Sequence, residues 1–158
     1  MLADDVTAAI PLPPFDNSQM DGYAVLASDL ADASEARPGT LTLGIATAAG
    51  DPPAIHAPGT ASPVMTGAAV PTGADAIVPI EAALPPRFPR LVRAHKAVRP
   101  EGAVSFGSPV APGTFVRPRG EDVAVGALVG RTGNPLTPAR IGTLAAAGVT
   151  EVPVLRRP

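Results

Sequence analysis

Between residues 40 and 48 the chain reads TLTLGIATA, with Leu41, Leu43 and Ile45 separated by smaller or more polar residues. A period of two puts one set of side chains on a buried face and the other towards water, the pattern of a half-buried strand. Similar reasoning predicts strands over 74–81 (ADAIVPIE), 90–98 (RLVRAHKAV), 114–119 (TFVRPR) and 127–131 (ALVGR), with shorter ones over Val6–Ile10 and Tyr23–Leu26. Residues 27–39 read as a loop with one helical turn starting at Ser28, 49–59 as turns, and 60–70 as either a strand or a helical turn. Pro11, Pro13 and Pro14 end any regular structure after Ile10, since each removes a backbone donor. Many short strands punctuated by Gly and Pro predict a β-barrel or a sandwich.

The pattern changes near the end. In LTPARIGTLAAAGVTEVPVL, Thr137 is a natural helix N-cap and Pro138 suits the first helical position, where its missing N–H costs nothing. A helix over 138–147 would place Ile141, Leu144 and Ala145 on one face, and Gly148 suits the left-handed residue that follows it. Val152, Val154 and Leu155 then predict a strand.

Composition narrows the picture. Of 158 residues, 46% are hydrophobic, so a core is available, but with four Phe, one Tyr and no Trp it must be aliphatic. Pro (21) and Gly (16) interrupt apolar runs instead of forming tracts, which favours turns over disorder. The net charge is −2 and the basic residues are scattered, which argues against a nucleic-acid partner. There is no cysteine, hence no disulfide framework or thiolate chemistry. His56 and His95 lack ligand spacing. No apolar run reaches membrane-spanning length and no signal peptide opens the chain, so no membrane partner is expected and the cytoplasm is the expected location.

Three stretches carry candidate chemistry. PFDNSQMDGYAV (14–25) packs Asp16, Asn17, Ser18 and Asp21 around Gly22. As structure, these residues hold turns, and Asp21-Gly22 suits a hairpin. As chemistry, two carboxylates in one loop suit proton abstraction, cation binding or orientation of a polar ligand. In MTGAAVP (65–71), Thr66 offers a hydroxyl and Gly67 allows close backbone approach, and successive amides there can cradle an oxyanion or simply join two strands. In RPRGEDVAVG (117–126), Arg119, Glu121 and Asp122 flank Gly120, as a site or as a solvated hairpin tip.

In this order, LADDV (2–6), LPPFDNSQMDGYAV (12–25), AAGDPP (48–53), VMTGAAVPTGADAIVPIE (64–81), VRPRGED (116–122) and the tail 136–158 make the chain resemble the molybdopterin molybdenumtransferases, the MoeA family, related to gephyrin. The resemblance spans essentially the whole chain. It implies insertion of molybdenum from molybdate into adenylylated molybdopterin, with Mg2+ in the full-length enzyme and a homodimeric assembly. It also implies a mainly β fold with minor α, in which a β-barrel-like domain (10–124) is inserted into an elongated α+β domain (1–9 and 125–158). The family's pterin-binding and C-terminal regions have no counterpart in these residues, so the chain alone is expected to be inactive, its pterin-binding domain supplied in cis or in trans. Alternatively it is a non-catalytic dimerisation or binding module, or half of a split insertase. Carried over motif by motif, Asp21, Thr66 and Asp122 are the catalytic candidates. Asn17, Ser18, Gly67 and Arg119 are ligand-binding candidates, and Asp21 is a possible metal ligand. The three catalytic candidates are expected to converge on one exposed cleft. Pro63 stands where the family usually has an arginine.

Overall fold

The computed structural model describes residues 1–88 and 101–155, so the strand expected over 90–98 lies outside the described residues. In chain order the strands are β1 (Val6–Thr7), β2 (Asn17–Ser18), β3 (Gly22–Val25), β4 (Gly39–Leu43), β5 (Thr60–Val64), β6 (Ala76–Pro79), β7 (Ala83–Leu84), β8 (Ala103–Phe106), β9 (Val116–Arg117) and β10 (Leu128–Gly130). One α-helix, α1 (Pro138–Ala146), follows them, and single 3-10 turns occur at Ala27–Leu30 and Ile80–Ala82. The described residues form two compact units, Met1–Phe15 with Pro118–Pro158, and Asp16–Arg117. The expected division lay at 9/10 and 124/125. Leu12 and Val123 exchange backbone hydrogen bonds of 2.8 and 3.1 Å, and the Gly120 N–H reaches the Pro13 carbonyl at 2.9 Å. These contacts tie 12–13 and 120–123 to each other and to the first unit.

The second unit is built on a six-stranded sheet in the order β6-β3-β5-β4-β8-β7. All pairs are antiparallel except β4 with β5. Its two edge strands, β6 and β7, are consecutive in sequence and joined only by the 3-10 turn Ile80–Ala82. The two edges therefore lie beside each other and the sheet curls into a nearly closed barrel, as the strand spacing predicts. Closure limits the exposed edge that an open sheet of this size would present.

β3 lies at the heart of the sheet and is buried on both faces. Tyr23 and Val25 point to one core with Leu41, Leu43, Val104 and Phe106. Ala24 points to the other with Val64, Ala68 and Ile77. In β4, Leu41 and Leu43 are buried while Thr40 and Thr42 are exposed, the alternation read from the sequence. The few aromatic residues are concentrated here: Tyr23 packs edge-on to Phe106 at 5.8 Å, and its hydroxyl donates to the Arg87 carbonyl at 2.7 Å, so its polar tip is satisfied despite burial.

Pro63 sits within β5, opposite Tyr23. Its carbonyl accepts from the Thr47 N–H at 2.9 Å, on the side away from β3. The N and C=O of one strand residue point the same way, so the missing N–H also faces away from β3 and leaves the β3–β5 pairing intact.

Gly22 does not sit in a hairpin turn, contrary to the sequence reading. It is the first residue of β3, paired with Val64 on one side and Pro79 on the other. A Cβ there would press directly on the Val78 carbonyl oxygen and come within 2.9 Å of its carbonyl carbon. Glycine is needed for close approach of two backbones, not for a turn.

The first unit pairs β1 with β10 and buries Leu2, Val6 and Leu144 against Val129, Leu136, Val149 and Val152. The Thr137 hydroxyl caps α1 by accepting from the Arg140 N–H at 3.3 Å, and Gly148 has φ +76° just past the helix. The buried face of α1 differs from the expected one. Leu144 and Ala147 are buried, whereas Ile141 is 53% exposed and Ala145 is also exposed. The apolar patch that α1 covers is small, Leu2 and Val6, and one large side chain fills it. The expected strand at 152–155 is reduced to a bridge between Val154 and Leu2, and that at 114–119 to Val116–Arg117.

His56 is a buried histidine that the sequence reading set aside. Its Nδ1 lies 3.2 Å from the Ser62 hydroxyl, and its Nε2 has no partner among the described residues. Burial lowers its pKa below the ordinary 6.5, and Asp29 and Asp75 oppose that shift. Below pH 6.5 the unfolded imidazole takes a proton that the folded one refuses until lower pH. The stability His56 contributes is therefore complete above 6.5 and is lost as pH falls towards the folded value. Thermal midpoints are expected to fall over that window, and to fall less steeply in His56→Gln. Equal slopes in the two proteins would contradict this.

Candidate functional site

The polar stretch that begins at Asp16 is not a free loop. Asn17 and Ser18 form β2, which pairs with β9 through Asn17–Arg117 and Ser18–Val116. On its other side the Ser18 N–H donates to the Ala68 carbonyl at 3.0 Å, and the Gly67 N–H donates to the Ser18 carbonyl at 2.8 Å. Asn17 and Ser18 are both buried. The Ser18 hydroxyl donates to the Met20 carbonyl at 2.6 Å and accepts the Met20 N–H at 3.3 Å. A side chain bonded to its own backbone two residues on bends the chain, and the bend delivers Asp21 to the surface at the mouth of β3. These two residues therefore shape the site from beneath.

Thr66 and Gly67 are the middle residues of a turn closed by the Ala68 N–H on the Met65 carbonyl at 2.9 Å. Gly67 has φ +78° with open space around its α-carbon, as the third position of a type II turn requires. The turn faces Asp21, whose Oδ1 accepts the Thr66 N–H at 2.7 Å and the Thr66 hydroxyl at 2.8 Å. These two bonds stabilise the carboxylate and hold its pKa below the usual 3.8, with a smaller opposing effect of burial. Asp21 is exposed, and its Oδ2 takes no hydrogen bond from a described residue.

An oxyanion cradle made of the 66–68 amides does not form. Those of Thr66, Gly67 and Ala68 are engaged by Asp21, Ser18 and Met65 respectively. What the site offers is an ionised carboxylate with one free oxygen, fixed by a threonine 45 residues further along the chain. Ser18 and Gly67 join the same constellation. Arg119 and Asp122 belong to the other unit, where Gly120 (φ +76°) turns the exposed segment and the Asp122 N–H donates to the Leu12 carbonyl at 2.9 Å. Among the described residues no cluster of three His, Cys, Asp or Glu is placed to hold a metal ion, and no helix is long and apolar enough to cross a membrane.

Residues 1–148 match the family described as MoeA N-terminal region, domain I and II. The chain belongs to this family. Among curated relatives of this MoeA N-terminal region, molybdopterin molybdenumtransferase 2 of Mycobacterium tuberculosis is 42% identical over 99% of the chain and 36% of its own length. Molybdopterin molybdenumtransferase of Synechococcus elongatus is 38% identical over 98% of the chain and 35% of its own length. Two solved structures of the molybdopterin biosynthesis MoeA protein of Pyrococcus horikoshii superpose with TM-scores of 0.82 and 0.77, at 32% and 34% identity. They cover 96% and 97% of the chain and 36% and 37% of the solved chains. The chain thus spans little more than a third of the length of these relatives. The relatives form an enzyme family of molybdenum cofactor biosynthesis, and the barrel-like mainly β fold is theirs.

Sequence reasoning found both Asp21 and Thr66 but not their bond. It also missed that Ser18 works through its backbone. The signal available for the latter was the run of small residues Thr66-Gly67-Ala68-Ala69, which suits a chain lying close to a neighbouring strand.

Proposed function

We propose that these residues supply the Asp21 wall of a molybdenum insertase, in which molybdenum from molybdate enters the dithiolene of adenylylated molybdopterin and the nucleotide is released. The observation that carries this reading is the pair of hydrogen bonds from Thr66 to Asp21, which joins two of the stretches that carry the resemblance in one place. Asp21 is ionised well below neutral pH, because its charged form is the one that Thr66 stabilises. A base of lowered pKa accepts protons poorly at neutral pH. Its free oxygen suits a charge role instead: orienting a water, or helping to hold Mg2+. Mg2+ usually keeps several waters and takes one or two carboxylates with substrate phosphates, so a lone Asp21 oxygen fits it as a single protein ligand. Gly67 leaves room for a ligand to approach the turn. The pterin-binding region completes the site in this proposal, acting in a cytoplasmic homodimer.

The 158 residues alone are then inactive. A second reading is that the chain works as half of a split insertase. Both are tested by joining the chain to the complementary part of the Mycobacterium tuberculosis relative, and by mixing the two parts unjoined. Insertion of molybdenum is expected from the joined protein and not from the chain alone. Insertion by the mixture supports assembly in trans. A folded joined protein that binds adenylylated molybdopterin but inserts nothing rejects the proposal.

A further inference from the structure

The bonds between Asp21 and Thr66 have a counterpart in the first unit. There Asp5 Oδ1 accepts the Thr132 N–H at 2.8 Å and the Thr132 hydroxyl at 3.1 Å. Thr132 and Gly133 are the middle residues of a turn closed by the Asn134 N–H on the Arg131 carbonyl at 3.0 Å, as Thr66 and Gly67 are between Met65 and Ala68. Gly133 and Gly67 share a φ of +78°. Three residues before each aspartate, a fully buried residue grips the turn through its backbone. The Leu2 N–H donates to the Asn134 carbonyl and the Leu2 carbonyl accepts the Gly133 N–H, both at 2.9 Å; Ser18 makes the same two bonds with Ala68 and Gly67, at 3.0 and 2.8 Å. The strands correspond as well. The residue after each aspartate pairs with the residue before each turn, Val6 with Gly130 and Gly22 with Val64.

The two copies, LADD with RTGN and SQMD with MTGA, have only the aspartate and the Thr-Gly pair in common. The positions that differ contribute backbone alone to the shared bonds. Three side-chain identities thus suffice for the device: a carboxylate acceptor, a threonine that donates twice, and a glycine for the positive φ. None of the residues singled out for chemistry takes part in the Asp5 copy, where the bonds fasten the open end of the β1–β10 pair. We infer that this clasp is one architectural device used twice, and that Thr66 is a positioning residue, acting on the reaction through Asp21 and not by touching the reacting compound. The role of Thr66 in the reaction rests on the function proposed above. Its single hydroxyl proton is already given to Asp21 Oδ1, as is its N–H, so Thr66 has no donor left for an oxyanion.

Thermal melts of the 158-residue chain test the shared device. Thr66→Val and Thr132→Val keep the side-chain shape and the N–H bond and lose the hydroxyl. Each is expected to lower the midpoint by about 2–4 °C, and by much less once its own aspartate is alanine. A loss that persists undiminished in the Asp21→Ala or Asp5→Ala chain, or that occurs at one site only, overturns the shared device. Insertion by the joined protein tests the positioning role. Thr66→Val is expected to slow it about tenfold, Thr66→Ser to recover most of the rate, and Thr132→Val to leave the parent rate. In the Asp21→Ala joined protein, Thr66→Val should slow insertion no further. A further loss there shows that Thr66 meets the reacting compound itself and overturns the positioning role, as does an unchanged rate in Thr66→Val alone. A joined protein that binds adenylylated molybdopterin but inserts nothing removes the proposed function and the positioning role with it, whereas the melts still decide whether the two clasps are one device.

Discussion

Gly22→Ala is expected to lower the thermal midpoint of the chain by about 10 °C, corresponding to ~3 kcal/mol or more. The added methyl group would meet the Val78 carbonyl group and come within 3.1 Å of the Pro79 Cα. All of these are backbone atoms of the paired strand, so no side-chain rotation relieves the contact. β3 would have to move away from β6, in a strand whose residues are all buried. Overpacking of this kind is not offset by the modest gain from replacing glycine. Gly142→Ala is the contrasting case. Gly142 lies within α1 with nothing within 4 Å of its added Cβ, so alanine there should stabilise by ~0.5–1 kcal/mol. Thermal melts of both variants test the pair. A Gly22→Ala protein as stable as the parent would mean that β3 and β6 are further apart than the structure places them.

Much of the fold was legible because its signals are local. Alternation in Leu41 and Leu43, the Thr137 cap and Gly148 each depend on a few neighbouring residues, and each yielded an element close to its expected place. β8 was missed. Only Val104 and Phe106 alternate there, between Gly102 and Gly107, and two large residues are too few to declare a period. β2 was missed for a different reason. Asn17 and Ser18 carry turn chemistry, but backbone partners distant in sequence, Ala68 and Val116, hold them as a strand. Tertiary pairing overrode local preference. The same limit explains the site. Asp21 and Thr66 stood out through their motifs, but their bond spans 45 residues, and nothing local in either motif encodes it. The helix face was misjudged because periodicity identifies a stripe but not which of its members meets the small patch of Leu2 and Val6.

Asp21→Asn is expected to slow molybdenum insertion on the order of a hundredfold in the joined protein, with little change in thermal stability. The substitution is nearly isosteric. The asparagine carbonyl oxygen can accept both Thr66 bonds, the N–H at 2.7 Å and the hydroxyl at 2.8 Å, that now converge on Oδ1. The turn and the mouth of β3 should therefore keep their shape. What disappears is the charge and the second carboxylate oxygen, replaced by an NH2 that donates where Oδ2 accepts. A cation, or a water orienting towards developing charge, then meets a donor in place of an anion. The pH behaviour follows from the lowered carboxyl pKa. The parent's insertion rate should show no titration of Asp21 in the neutral range, because its lowered pKa keeps the group ionised there. The variant should be slower by a constant factor across the neutral range. Insertion at the parent rate would remove Asp21 from the reaction and leave its bonds to Thr66 as a structural clasp between two turns. A large loss of thermal stability would point the same way, since it would show that the negative charge serves the fold.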